Sequence, residues 1–219
     1  MNQPFPKDIY AARRNRLALN MRAKSGGGVL ILETAAEAYR NRDSDFPYRH
    51  DSDFYYLTGF AEPGATLVMN VTEKNIHTLL FCRPKDLERE IWDGWRLGPE
   101  AAPQYLGVDS AESIDKIDAL IPAHIENQRA IYTRLIQHTK ESHQLTQWLK
   151  KVKVNARKGA STPATLFDAE TLIHEMRLFK DKSDLIETIN RYSSTVFTGT
   201  VINQDLLLLL TDNFVANVK

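Results

Sequence analysis

Short apolar runs set the architecture before anything else does. Val29-Leu30-Ile31-Leu32 follows directly on the breaker Gly26-Gly27-Gly28. Thr66-Leu67-Val68-Met69-Asn70-Val71 and His77-Thr78-Leu79-Leu80-Phe81-Cys82 flank the polar turn Thr72-Glu73-Lys74-Asn75. Runs of this length bounded by turn formers read as buried strands, and the second and third read as a hairpin. Arg129 to Leu135 reads as another strand.

Between these runs the period changes to that of a helix. From Lys7 to Met21, residues Tyr10, Leu17 and Met21 share one face, and Arg13, Arg14 and Arg16 are expected to lie mostly elsewhere. Asp109 to Ile121 opens like a capping box, with Glu112 three residues after Asp109. Ile114, Ile117 and Ile121 line one side, and Pro122 falls near its end. Glu141 to Val152 carries Leu145, Trp148, Leu149 and Val152 at i, i+3, i+4 and i+7. Strands alternating with helices specify an α/β domain. Its 219 residues suffice for one domain, at about 50–250 residues each, or a domain and a fragment. The domain is expected to end near 164–169, with a charged connecting helix from Glu170 onward.

Composition narrows the function classes. Lys+Arg and Asp+Glu each number 28, so no net field draws the chain to nucleic acid or an anionic membrane. The basic run Lys150, Lys151, Lys153, Arg157, Lys158 reads as a solvated face. Near-neutral charge permits self-association. The one cysteine, Cys82, sits in an apolar run and reads as core. The N-terminus has no apolar signal region, and Leu206 to Leu210 is far short of the ~20 apolar residues of a membrane span. A cytoplasmic location is expected.

Two stretches carry the information. Arg42 to Phe60 repeats Asp-Ser-Asp-Phe eight residues apart and packs Asp43, Asp45, Asp51 and Asp53 among Arg42, Arg49 and His50. An EF-hand counted from Asp43 would need Gly and Glu where Tyr48 and Phe54 stand, so that metal loop fails. Internal pairing by Arg42 and Arg49, with capping by the remaining Asp and Ser, is one reading. A polar surface shown to a ligand or subunit is another. The second stretch, Glu90-Ile91-Trp92-Asp93-Gly94-Trp95-Arg96-Leu97-Gly98, places two tryptophans around an Asp-Gly turn. Trp92 is either a packing aromatic or an exposed interface anchor. His174-Glu175 begins like a zinc-protease motif, but Leu178 stands where its second histidine belongs.

Together these stretches resemble the N-terminal domain of bacterial Xaa-Pro aminopeptidases (aminopeptidase P, in the creatinase superfamily). The likeness runs through Arg42 to Asp45, Pro47-Tyr48-Arg49, Asp51 to Phe60 with Glu62-Pro63, and Glu90-Ile91-Trp92 with Arg96-Leu97-Gly98. It continues in Ala101-Ala102-Pro103 with Leu106-Gly107-Val108, then Pro163-Ala164-Thr165 and His174 to Lys180. It implies a creatinase-like N-terminal α/β domain over 1–169, a mixed sheet flanked by helices, then a linker helix over 170–189. It implies a parent enzyme that releases the residue ahead of a penultimate proline, using two divalent ions, typically manganese, in a C-terminal domain. None of that domain's five metal ligands matches a position here, so no catalytic or metal residue and no cofactor is expected in this chain. Residues 190–219, rich in β-branched residues, are expected to be non-family sequence from a frameshift or truncation near 188–192.

By the same resemblance Asp43, Trp92 and Arg157 match residues that line a neighbouring subunit's active-site entrance. They would meet a proline-containing peptide within a homo-oligomer. The implied role is oligomerisation and entrance-lining, without activity in isolation. The alternative is a stand-alone module that caps an intact paralogue or another partner. A small enzyme using a metal on the Arg42–Asp53 segment is the third reading.

Overall fold

A computed structural model describes residues 6–42, 44–135 and 139–178. Its elements, in chain order, are α1 (Lys7–Ser25), β1 (Gly28–Glu33), α2 (Ser52–Thr58), β2 (Thr66–Val71) and β3 (Ile76–Cys82). They continue with α3 (Leu87–Asp93), α4 (Ala102–Leu106), β4 (Ser110–Ser113), α5 (Ile117–Ile125), β5 (Ala130–Thr133), α6 (Thr139–Val154), β6 (Thr165–Asp168) and α7 (Ala169–Leu178). One sheet runs β4-β3-β2-β1-β5-β6. Only β2 is antiparallel to its neighbours; β3–β4, β1–β5 and β5–β6 are parallel. This is the mixed α/β sheet flanked by helices that the sequence leads one to expect.

The apolar runs are continuous because both sheet faces are covered. Side chains alternate along each strand. Leu30, Leu32, Leu67, Met69, Leu80 and Tyr132 pack against α1, α2, α4 and α7, through Leu17, Phe54, Leu106 and Ile173 among others. Val29, Ile31, Val68, Phe81 and Ile131 pack on the opposite face against Ile121 and Ile125 of α5 and Trp148 and Val152 of α6. Cys82 is fully buried in the first layer, and burial pushes its thiol up to about 12. Among the described residues no helix is long and apolar enough to cross a membrane.

Two sequence expectations are corrected. The helix expected over Asp109 to Ile121 begins instead as strand β4, paired with Leu79 to Cys82, and turns helical only after Ser113. Asp109 does not cap a helix of its own. Its Oδ2 accepts from the Thr78 amide and the Thr78 hydroxyl, both at 2.7 Å. Edge pairing with β3 satisfies more backbone groups than a capping box would, so tertiary context overrides the local pattern. Burial alone would raise the Asp109 carboxyl, but the two Thr78 bonds hold it below the usual range. These bonds exist only in the folded chain. Their stabilisation is therefore complete above the unfolded value of about 3.9 and fades as pH falls through the lower folded value. Urea unfolding should find Asp109→Asn less stable than the parent at pH 6, with the gap narrowing toward pH 2.

The second correction concerns α1. Arg13 and Arg14 do not lie away from its buried face: they are 5% and 2% exposed. Arg14 stands between Tyr10 and Leu17 on the i, i+4, i+7 stripe. Its Nη1 donates to the Leu57 carbonyl at 2.9 Å, and its Nη2 to the carbonyls of Leu106 (3.4 Å) and Gly107. Arg13 donates to the Tyr56 carbonyl at 3.2 Å. Both cations thus sit on the carbonyl-rich ends of α2 and α4, where the helix dipole is negative. Gly59, just past α2, has φ +67°, and a Cβ there would lie 2.6 Å from the Tyr10 ring. Glycine lets α1 and α2 meet this closely.

The proline inside α5 is also accommodated. Pro122 has no amide to offer the Asp118 carbonyl, and Lys151 of α6 donates to that carbonyl at 2.7 Å. The Asp118 carboxylate accepts from the Trp148 indole (2.7 Å) and Gln144 (3.1 Å), fixing α6 to α5.

Candidate functional site

Five of the six strands point the same way, so the domain has two dissimilar ends. The carboxyl end collects the segment after β1, the segment around α3, the residue after β5 and the start of α7. Open α/β sheets place their functional crevice at this end, where the strand order reverses. Here the reversal lies between β1 and β5.

Arg134 stands at that crevice, directly after β5, with its side chain 6% exposed. Nη1 donates to the carbonyl of Glu33, the last residue of β1, at 3.2 Å. Nη2 donates to Asp51 and lies 4.0 Å from Asp53. Nε lies 3.3 Å from Glu170 of α7, as an ion pair rather than an aligned hydrogen bond. Asp51 caps α2, accepting from the amides of Asp53 (3.0 Å) and Phe54 (2.8 Å). Asp53, 4% exposed, accepts from Arg177 and faces His174 at 3.2 Å, both on α7.

This assigns part of the repeated Asp-Ser-Asp-Phe segment. Capping by Asp51 is as expected. The partners of Asp51 and Asp53 are not Arg42 and Arg49 but Arg134, His174 and Arg177, all more than 80 residues away. The sequence gives no signal for Arg134, which reads as one more residue of a strand. The network clamps β5, α2 and α7 together. Its oxygens are engaged by cations and amides. Among the described residues no three His, Cys, Asp or Glu side chains are grouped to hold an ion.

The second feature at this end is α3. Asp86 caps it through the amides of Glu88 (3.2 Å) and Arg89 (3.1 Å), and Gly94 closes it. None of its seven side chains is buried. Leu87, Ile91 and Trp92 are 74%, 78% and 87% exposed, with Trp95 half exposed beyond them. A helix this short has little stability of its own, and its apolar residues contribute nothing to this domain's core. Trp92 therefore meets the second of its two readings, an outward-facing aromatic.

Asp43 lies outside the described residues. On either side of it, Tyr39 and Asp45 form an antiparallel bridge, and the amides of Arg40 and Asn41 donate to the Ser44 carbonyl. This turn belongs to the segment after β1, at the same end as α3. Arg157 is exposed in a single 3-10 turn after α6, at the amino end of the sheet. Ser161, four residues on, is tied to Asn127 just before β5 by bonds of 2.9 Å in both directions. One chain therefore does not bring Trp92 and Arg157 together.

The family profile described as "Aminopeptidase P, N-terminal domain" matches residues 10–132. The Xaa-Pro aminopeptidase of Escherichia coli (strain K12) is 37% identical over 174 residues, covering 79% of this chain and 39% of that protein. The Haemophilus influenzae Xaa-Pro aminopeptidase is 35% identical over 181 residues, 83% of this chain and 39% of its own length. Among solved structures, zinc-substituted E. coli aminopeptidase P in complex with product superposes with a TM-score of 0.79 at 34% identity. That match covers 85% of this chain and 42% of that one. Proline aminopeptidase P II from Yersinia pestis gives 0.78 at 39% identity, with the same coverage. The chain thus spans about two fifths of the length of these relatives.

Proposed function

The chain belongs to the aminopeptidase P family through its N-terminal domain, and on that premise we propose that it builds the subunit contacts and peptide entrance of a Xaa-Pro aminopeptidase. The parent activity is release of an N-terminal residue ahead of a penultimate proline. In this reading the domain does not hydrolyse peptide itself. It presents Asp43, Trp92 and Arg157 to the active-site entrances of neighbouring copies of the protein, Trp92 and Arg157 from opposite ends of the domain. An aromatic packs on proline, a carboxylate takes a peptide amine and a guanidinium takes peptide carbonyls.

The observation that carries this reading is α3. It is a capped helix whose whole apolar content, Leu87, Ile91 and Trp92, faces outward. An exposed tryptophan such as Trp92 is a usual anchor of a protein contact. The two divalent ions of the family chemistry find no ligand set among the described residues, and the carboxylates Asp51 and Asp53 are already engaged by cations. We therefore assign no step of hydrolysis to these residues. The segment 170–189 is proposed as the link to the metal-bearing part of the parent enzyme.

The test has two arms. Purified chain with added manganese should leave an Xaa-Pro peptide uncut; turnover with one tightly bound ion per chain would overturn the reading. Trp92→Ala should change unfolding free energy by no more than about 0.5 kcal/mol. In sedimentation equilibrium it should weaken self-association at least tenfold. Self-association equal to the parent's would remove Trp92 from the contact.

A further inference from the structure

A helix with no buried side chain does not hold its own position, so the hold on α3 must come from its flanks. Arg96, 5% exposed, reaches back across the helix. Its Nη2 donates to Asp93, the last helical residue, at 2.6 Å, and its Nη1 to the Pro84 carbonyl, before the helix, at 3.4 Å. This closes the segment on itself without fixing it to the domain. Two links join it to the domain: the Leu97 side chain, 4% exposed in the core, and Glu62, from the turn between α2 and β2, 6% exposed. The Glu62 Oε1 accepts from the Leu97 amide at 2.9 Å. Its Oε2 has no hydrogen-bond partner among the described residues and faces Arg83 Nη2 at 4.0 Å.

We propose that Glu62 is the positioning residue of the α3 arm, fixing through Leu97 and the facing Arg83 and Arg96 the direction in which Leu87, Ile91 and Trp92 are presented. A carboxylate that keeps one oxygen unpartnered in a buried setting is not optimised for stability. It suits a joint that is fixed in direction yet able to give. The charged groups around it are Arg83 beyond β3, Glu90 on α3 and Arg96 beyond α3. Removing the acceptor leaves the Leu97 amide and two guanidiniums without it, and the direction of the arm is then held by its own internal staple and the apolar seat of Leu97 alone.

The consequence for Trp92 rests on the function proposed above, but the joint is read on the chain alone, so failure of one is distinguishable from failure of the other. The experiment is amide hydrogen exchange of the purified chain. In Glu62→Ala the amides of 87–98 should exchange at least tenfold faster, with those of β1 and β2 unchanged. Glu62→Gln keeps an acceptor oxygen and should return the Leu97 amide to within about threefold of the parent. Glu62→Asp retracts the carboxylate by one methylene and should loosen the same amides; it serves in place of alanine if that variant does not fold. Unchanged exchange over 87–98 in the loosening variants would overturn the proposal. So would acceleration shared equally by β1 and β2, or failure of glutamine to restore Leu97.

Discussion

Arg14→Met should be among the most damaging single substitutions in this chain, lowering its unfolding free energy by about 3 kcal/mol or more. The side chain it replaces is 2% exposed and serves the carbonyls of Leu57, Leu106 and Gly107. Each buried carbonyl left without a donor costs about 1–3 kcal/mol, and methionine fills the space without replacing a bond. Burial pushes the guanidinium down to about 10 while Asp109 opposes that shift, so the group remains cationic at neutral pH. For a domain of this size the loss corresponds to a fall in melting temperature of roughly 6–12 °C. Arg14→Lys should recover less than half, because one ammonium cannot span carbonyls on two helices as a planar fork does. Urea unfolding with an unchanged m-value would measure it. A loss below 1 kcal/mol would mean that the three carbonyls find other donors.

A comparable loss, about 3–5 kcal/mol, is expected for Arg134→Met. This change leaves the buried Asp53 and the partly exposed Asp51 and Glu170 facing one another without the buried cation between them, and breaking an ion pair from one side is the costly way to break it. Asp53 retains Arg177 and His174, so the uncompensated charge falls mainly on Asp51 and Glu170. Adding Asp51→Asn should then recover part of the loss, since the amide oxygen can still cap α2. High salt should reduce the repulsive part of the Arg134→Met penalty, because Asp51 and Glu170 are 24% and 39% exposed and open to screening. If the double variant is no better than the single, repulsion among the carboxylates is not the cause.

Both residues show where reading a sequence stops. The apolar runs of β1, β2 and β3 were legible because each is buried on both faces, and the β2–β3 hairpin because its turn is local. Helix α6 was legible from Leu145, Trp148, Leu149 and Val152. Strands β4 and β6 were not: Ser110-Ala111-Glu112-Ser113 and Thr165-Leu166-Phe167-Asp168 are four-residue edges, half-buried or exposed, and pairing rather than composition makes them strands. Arg14 sits on an apolar stripe and meets carbonyls 43 and more residues away; Arg134 meets Asp51 at a separation of 83. Helical and strand periods carry no record of such distances. Capping by Asp and Ser of this segment was legible, since a cap is local, but the assignment to Asp51 and its ion-pair partner was not. Trp92 was not legible either way: with Leu87, Ile91 and Trp95 near it, the local sequence fits a packing aromatic as well as an exposed one.

The parallel arrangement of five strands has one further consequence, in the language of mass action. Trp92 and Arg157 sit at opposite ends of a sheet whose six-residue strands span about 20 Å. No single copy can place both on one short peptide. In the proposed reading, an entrance lined by both would draw them from different copies and would exist only to the extent that copies are associated. Peptide affinity would then rise with protein concentration, and dilution alone would act as an inhibitor.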